Sequence, residues 1–309
     1  MRDHVMHYGS FARTALLAAA LCSSLGAQAP CSIETVRGVW VETTGVGTTM
    51  VAAPGIAQPV PAPVAALGMY SIDEQGRLTG WFNILLAGNY SDATIAGRVA
   101  VNSNCTGTIR FTVTPLGAPG PLPGEGAFRI LVLDNGNEIR AMSVTDFPMK
   151  YTGVETHRRI VRNSRAEPSC TAETVRGTYG TAAEGIILKT VPGQTQPVPA
   201  PYSGIGAIAI DGRGGITGGS TASTAGELME SELADASLQV LPDCTGYISY
   251  RLRPKGAPAA LPGGISKVVI LDNGDEIRAL EIQLPMGIGM PLLPSVSKRI
   301  SKEPGPVGW

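Results

Sequence analysis

Apolar and polar residues alternate with a period of two over much of this chain. Ile109, Phe111 and Val113 are interleaved with Thr108, Arg110 and Thr112, and further on Ile248, Tyr250 and Leu252 are interleaved with Ser249, Arg251 and Arg253. That period predicts strands with one buried face. By the same reading, strands are expected at 39–43, 66–72, 78–85, 94–101, 108–113, 128–133, 138–144 and 154–161, about eight in the first half of the chain. No stretch carries the 3.6-residue period of a long amphipathic helix.

Turn chemistry places the hairpins. Asn135-Gly136 and Asn273-Gly274 each stand between apolar runs, the pattern of a tight hairpin with positive φ in its turn, here expected to be type I′. Pairing across the first turn sets Leu133 against Glu138, Val132 against Ile139 and Leu131 against Arg140. One face then carries Phe128, Ile130, Val132, Ile139 and Ala141. The other carries Arg129, Leu131, Leu133, Glu138, Arg140 and Met142. The second hairpin repeats this, with Val268, Ile270, Ile277 and Ala279 opposed to Lys267, Val269, Leu271, Glu276, Arg278 and Leu280. A wholly apolar face backed by a mixed one predicts a small closed barrel, in preference to a sandwich.

The chain is written twice. Cys31 and Glu34-Thr35-Val36-Arg37-Gly38 recur as Cys170 and Glu173-Thr174-Val175-Arg176-Gly177, Cys105-Thr106-Gly107 recurs as Cys244-Thr245-Gly246, and the DNGNEIRA run from Asp134 recurs from Asp272 as DNGDEIRA. The expected organisation is all-β: two tandem antiparallel barrels of about eight strands, at 30–161 and 169–302. A short polar linker at 162–168 joins them, and a tail occupies 303–309. Two Pro-rich passages also repeat, Gln58 to Pro63 as Gln196 to Pro201, and Gly117 to Gly124 as Gly256 to Gly263. Because proline cannot serve a central ladder, they are expected as extended loops between strands.

Residues 1–29 carry Arg2 and Arg13, an apolar run from Ala15 to Leu21 and the small-residue stretch Ala27-Gln28-Ala29, the pattern of a secretory signal with its cleavage site. No later stretch reaches the ~18 apolar residues of a membrane-spanning helix. Cleavage would leave four cysteines, one pair per repeat, each 74 residues apart. In an oxidising compartment these are expected as disulfides Cys31–Cys105 and Cys170–Cys244. A thiolate metal site would need close C-x-x-C spacing and further ligands, and neither repeat supplies them. The remaining chain has 22 basic and 24 acidic residues, so no field of one sign steers it to nucleic acid or an anionic membrane.

The cysteines, the CTG turns and the DNGxEIRA hairpins together resemble a group of bacterial secreted β-barrel proteins, lipocalin-like or similar to the barrels of allene oxide cyclases and dirigent proteins. The resemblance covers nearly the whole chain after residue 29, once per repeat. The second repeat matches the pattern better, with Gly177-Thr178-Tyr179-Gly180, where the first has Trp40 and Val41 for Tyr179 and Gly180. It implies a scaffold, not a reaction.

Candidate chemistry is sparse. His4 and His7 leave with the signal, and His157 has Ser297 as its counterpart in the second repeat, so it is expected as a surface strand histidine and not as part of a triad or zinc site. The repeated pairs Glu138/Arg140 and Glu276/Arg278 are the polar candidates, each on one strand face. Inside a barrel they would orient a ligand or act as acid and base; outside it they would be ordinary ion pairs. Trp81, Phe82 and Tyr90 are the candidates for ligand contact, with Gly219 standing where the second repeat would have Trp81. The acidic group Glu227, Glu230, Glu232 and Asp235 is expected as a solvated hairpin, because it lacks the D-x-D-x-D-G turn of a calcium loop. No cofactor and no metal is expected. The expected function is binding of a small apolar ligand or a cell-envelope partner, with an isomerase or cyclase in a barrel cavity and a structural envelope protein as the alternatives.

Overall fold

The computed structural model describes residues 30–51, 60–86, 89–145, 151–152, 154–162, 169–189, 198–283, 291–292 and 294–307. The expected signal and most of the expected linker lie outside the described residues.

Each repeat forms a closed antiparallel barrel of eight strands, with a ninth, two-residue strand paired to the end of the first. In the first, β1 (Gly38–Val51), β2 (Val60–Ile72), β3 (Arg77–Leu86), β4 (Asn89–Val101), β5 (Thr106–Pro115), β6 (Gly126–Leu133) and β7 (Glu138–Ser143) follow one another. The two-residue β8 (Tyr151–Thr152) and β9 (Val154–Val161) both pair with β1, whose other edge pairs with β2 and closes the ring. The second barrel repeats this with β10 (Gly177–Lys189), β11 (Val198–Ile210), β12 (Ile216–Thr224), β13 (Glu227–Val240), β14 (Thr245–Pro254), β15 (Gly264–Leu271), β16 (Glu276–Gln283), β17 (Pro291–Leu292) and β18 (Pro294–Ser301). One disulfide fastens each barrel, Cys31 to Cys105 and Cys170 to Cys244.

The hairpin registers are those of the alternation, with Leu133 opposite Glu138 and Leu271 opposite Glu276. The turn itself differs from type I′. Asp134, Asn135 and Gly136 all have positive φ, as do Asp272, Asn273 and Gly274, so each loop is a short left-handed coil. Its glycine has a packing reason as well: a Cβ on Gly136 would lie 2.3 Å from the Thr35 carbonyl oxygen, and one on Gly274 2.0 Å from that of Thr174. The hairpin tip therefore presses on the helical turn Ile33–Val36, or Ala172–Val175 in the second repeat. Trp40 and Tyr179 sit behind these turns, fully buried; Trp40 Nε1 donates to the Val36 carbonyl at 2.8 Å and the Tyr179 hydroxyl to that of Val175 at 3.0 Å. Arg159 and Arg299 lie over the two rings, and each donates to a carbonyl of its helical turn. The departure at Trp40 thus keeps the same end plug with a different ring.

The prolines at the start of β2 and β11 correct the loop expectation. Pro61 and Pro63 lie within β2, and Pro199 and Pro201 within β11. They pair with β1 and β10 only, since the ladder with β3 starts at Val64 and that with β12 at Tyr202. Spaced two apart, the missing N–H groups fall on one edge, where no partner strand needs them.

The mixed outer face of β15 and β16 is where the barrels meet. Val269, Leu271 and Leu280 pack with Val41, Ala65, Leu67 and Leu85 of the first barrel in one buried cluster. The equivalent face of the first barrel, with Leu131, Leu133 and Met142, is exposed. Removing apolar volume from the contact should uncouple the halves. Leu271→Ala is expected to cost about 3 kcal/mol and to split a single urea transition into two, read by far-ultraviolet circular dichroism.

Candidate functional site

On β1 the inward positions are Trp40, Glu42 and Thr44; on β9 they are Glu155, His157 and Arg159. The antiparallel register sets Glu42 opposite His157 and Thr44 opposite Glu155. Tyr70 on β2, opposite Trp40, completes the group, its hydroxyl 2.7 Å from His157 Nδ1. His157 is 1% exposed, which overturns the surface reading. The cause is a strand with inverted polarity, since Glu155, His157 and Arg159 point inward while Val154 stands 57% exposed on the outside.

These groups line one side of an apolar cavity of about 80 Å³, walled by Val64, Ala66, Leu78, Phe82, Ile95 and Phe111 among others. At roughly 10–15 Å³ per water this holds several waters or one small organic molecule, well below the ~300 Å³ of a drug-sized site.

The electrostatics follow from burial. Glu42 is pushed up to about 8, first by loss of solvent and then by the Glu155 charge. Glu155 is likewise raised to about 8 by burial, with contacts to Glu42 and Thr44 pulling it part of the way back. Burial holds His157 below the ordinary imidazole range, helped by Arg278 and opposed by Glu42. At neutral pH the group is therefore largely uncharged: a carboxylic acid pair beside a neutral imidazole. His157 Nε2 and Glu155 Oε2 lie 3.4 Å apart, and neither atom has a hydrogen-bond partner. Thr44 Oγ1 on the same wall is unpaired too, and since satisfied polar groups are the rule in protein interiors, three such atoms call for an explanation.

The second barrel lacks this group. Its register sets Thr181 against Ser297, Ala183 against Ser295 and Tyr179 against Ile208, where the first barrel has Glu42 against His157, Thr44 against Glu155 and Trp40 against Tyr70. It carries instead a buried Glu281, which accepts from the Ser266 hydroxyl at 2.8 Å, near Tyr250 and Tyr202. The framework is duplicated and the polar interior is not.

The residues singled out by sequence separate. Glu138 and Arg140 form their ion pair at 2.6 Å on the outer face of the first barrel, where Arg158 joins at 2.9 Å. Burial would raise Glu138, but hydrogen bonds from Arg140 and Arg158 hold it below the usual carboxylate range. Glu276 and Arg278 pair at 2.6 Å where the barrels meet, and Arg278 donates to the Thr43 hydroxyl of the first barrel. Both pairs line an open cleft of about 910 Å³ between the barrels, outside either interior. Of the aromatic candidates only Phe82 reaches the cavity. Trp81 and Tyr90 pack against the inter-barrel cluster, with Lys267 Nζ 4.1 Å from the Trp81 ring centre and the Tyr90 hydroxyl donating to Asp92 at 2.7 Å. Glu230, Glu232 and Asp235 form a ladder of exposed ion pairs with Lys255, Arg253 and Arg251.

Sequence reasoning missed Glu42, Tyr70 and Glu155. The signal that would have found them is the unequal counterpart across repeats: glutamates at 42 and 155, with histidine at 157, correspond to Thr181, Ser295 and Ser297.

No protein-family model and no curated protein matches the chain. Among solved structures, a protein of unknown function from the DUF3598 family of Nostoc punctiforme is similar at 12% identity, with 89% of this chain and 100% of that chain covered and a TM-score of 0.22.

Proposed function

We propose that this is a secreted protein whose first barrel binds a small, largely apolar molecule, with one polar atom of that molecule held at Glu42, Glu155, His157 and Tyr70, while the second barrel serves as its rigid support. The observation that carries this reading is the apolar cavity of the first barrel, with the unpaired buried atoms of Glu155 and His157 on its wall. A bound hydroxyl, amine or carbonyl would satisfy those atoms, and the cavity size selects a small ligand. The disulfides and the pattern of residues 1–29 support secretion, and no described helix is long and apolar enough to cross a membrane.

Native mass spectrometry of the protein from its own host tests this. The wild type should carry an adduct released on denaturation, and Ala66→Leu, which fills the cavity at about 1–3 kcal/mol, should carry none. No adduct, or one that survives in Ala66→Leu, would overturn the proposal.

A second reading is favoured by the two carboxyls near pH 8, the range in which one group serves as acid and base at neutral pH. An isomerase or cyclase would then use Glu155 or Glu42, in place of Glu138 or Glu276. Turnover of the identified ligand, lost in Glu155→Gln with binding retained, would separate catalysis from binding.

A further inference from the structure

We propose that Glu42, Glu155 and His157 form a binding site for one divalent transition-metal ion of the zinc class, with its open coordination face toward the cavity of the first barrel. The proposal rests on the binding reading above and deepens it, because the ion would be the group that grips the ligand's polar atom.

Geometry carries the argument. One carboxylate oxygen from each glutamate and one imidazole nitrogen lie within 4.8 Å of one another, all on buried residues. The 3.4 Å between His157 Nε2 and Glu155 Oε2 matches the edge of a zinc tetrahedron, which is ~3.3–3.5 Å for bonds of ~2.0–2.2 Å. A contraction of up to ~1.4 Å brings the third atom to the same spacing. Both atoms of that edge lack a hydrogen-bond partner, on residues 1% and 5% exposed.

The surroundings suit a ligating histidine. With Nδ1 protonated and donating to the Tyr70 oxygen at 2.7 Å, the imidazole lone pair stands on Nε2, toward the carboxylates. Two carboxylates and a neutral imidazole balance a dication, so the filled site brings no net charge into an apolar cavity. Three protein ligands with a fourth position facing a cavity is the arrangement of an open zinc site. The donor set, two oxygens and one imidazole nitrogen, excludes a preference for copper(I), which selects sulfur. The strands supplying the ligands are neighbours in a closed sheet, so the site is held by the ladder between β1 and β9 and not by a loop.

The test uses the full chain, freed of metal by chelator and titrated with zinc chloride or cobalt(II) chloride alone. Expected results are one ion per chain by calorimetry, the visible absorption of four- or five-coordinate cobalt, and one paramagnetically shifted imidazole. Glu155→Gln and His157→Gln should each weaken binding at least ~10-fold to 100-fold, with circular dichroism showing that they fold. Should a variant fail to fold, the wild-type cobalt spectrum decides alone: six-coordinate cobalt without a shifted imidazole overturns the proposal. Absence of stoichiometric binding, or binding unchanged in both folded variants, overturns it as well. An organic ligand retained by metal-free protein that takes up no zinc would leave the binding reading standing and remove the metal. Zinc uptake without any organic ligand would do the reverse.

Discussion

Breaking the disulfide of either barrel is expected to cost that barrel about 4 kcal/mol, because each closes a loop of 74 residues. The two bonds have equal sequence separation and equivalent places, so their entropic effects on the unfolded chain should match. Each pins the segment ahead of the helical turn to the tight turn before β5 or β14, where Cys31 N–H donates to the Ser103 carbonyl and Cys170 N–H to that of Pro242. The tight turns carry a local cost. Cys105 and Cys244 adopt φ of 65° and 64°, a left-handed conformation that disfavours a residue with a Cβ by roughly 1–2 kcal/mol. Backbone bonds hold them there: Cys105 N–H donates to Asn102, and its carbonyl accepts from Val132. Cys31→Ser/Cys105→Ser should therefore lower the stability read from the urea transition by the full crosslink contribution. Cys31→Ser/Cys105→Gly should recover about 1 kcal/mol of it, since glycine takes that φ without strain. Equal midpoints for the Ser and Gly variants would show that the turn is not strained in the folded protein. An undiminished midpoint in both would show that the crosslink stabilises nothing.

Those cysteines mark what the sequence discloses and what it hides. Strands, repeat, hairpin register and crosslinks are local or periodic features, and period-two alternation, Asn-Gly turns and equal cysteine spacing state them directly. The Glu42–His157 pairing is not local. The two residues are brought together only when β1 and β9 close the ring. The alternation around His157 also misleads, because the polar residues of β9 face inward and Val154 faces outward. The Glu138/Arg140 and Glu276/Arg278 pairs were legible as pairs, since i and i+2 share a strand face, but not their side of the barrel. Val269, Leu271 and Leu280 explain the difficulty: an outer face buried against a second barrel has the composition of an inner one. Both barrels share the plug of Trp40 or Tyr179 and the DNG tip, while their interior polar groups differ.

Divergence inside the second barrel leads to a pH effect of similar size. Burial raises Glu281 to about 8, only partly offset by hydrogen bonds from Ser266, Tyr250 and the Ile265 backbone. The groups facing it are neutral at working pH: burial raises Tyr250 and Tyr202 above the ordinary phenol range, and Ser266 does not titrate. In the unfolded chain Glu281 returns to a value near 4.5. Between these values the folded protein holds a proton that the unfolded chain has lost, so stability falls as pH rises through that window and levels off above it. At ~1.4 kcal/mol per pH unit the whole window amounts to about 4–5 kcal/mol. Glu281→Gln keeps the shape and an acceptor for Ser266 but carries no charge at any pH. At pH 5 the variant and wild type should be within about 1 kcal/mol, where Glu281 is protonated when folded. At pH 8.5 the variant should be the more stable by several times that difference, read from the urea unfolding transition. Glu42 and Glu155 are unchanged in both proteins, so their contribution cancels in the comparison. A difference that stays flat from pH 5 to pH 8.5 would mean that Glu281 is ionised in the folded barrel, and that a cation or water not accounted for by Ser266, Tyr250 and Ile265 holds it there.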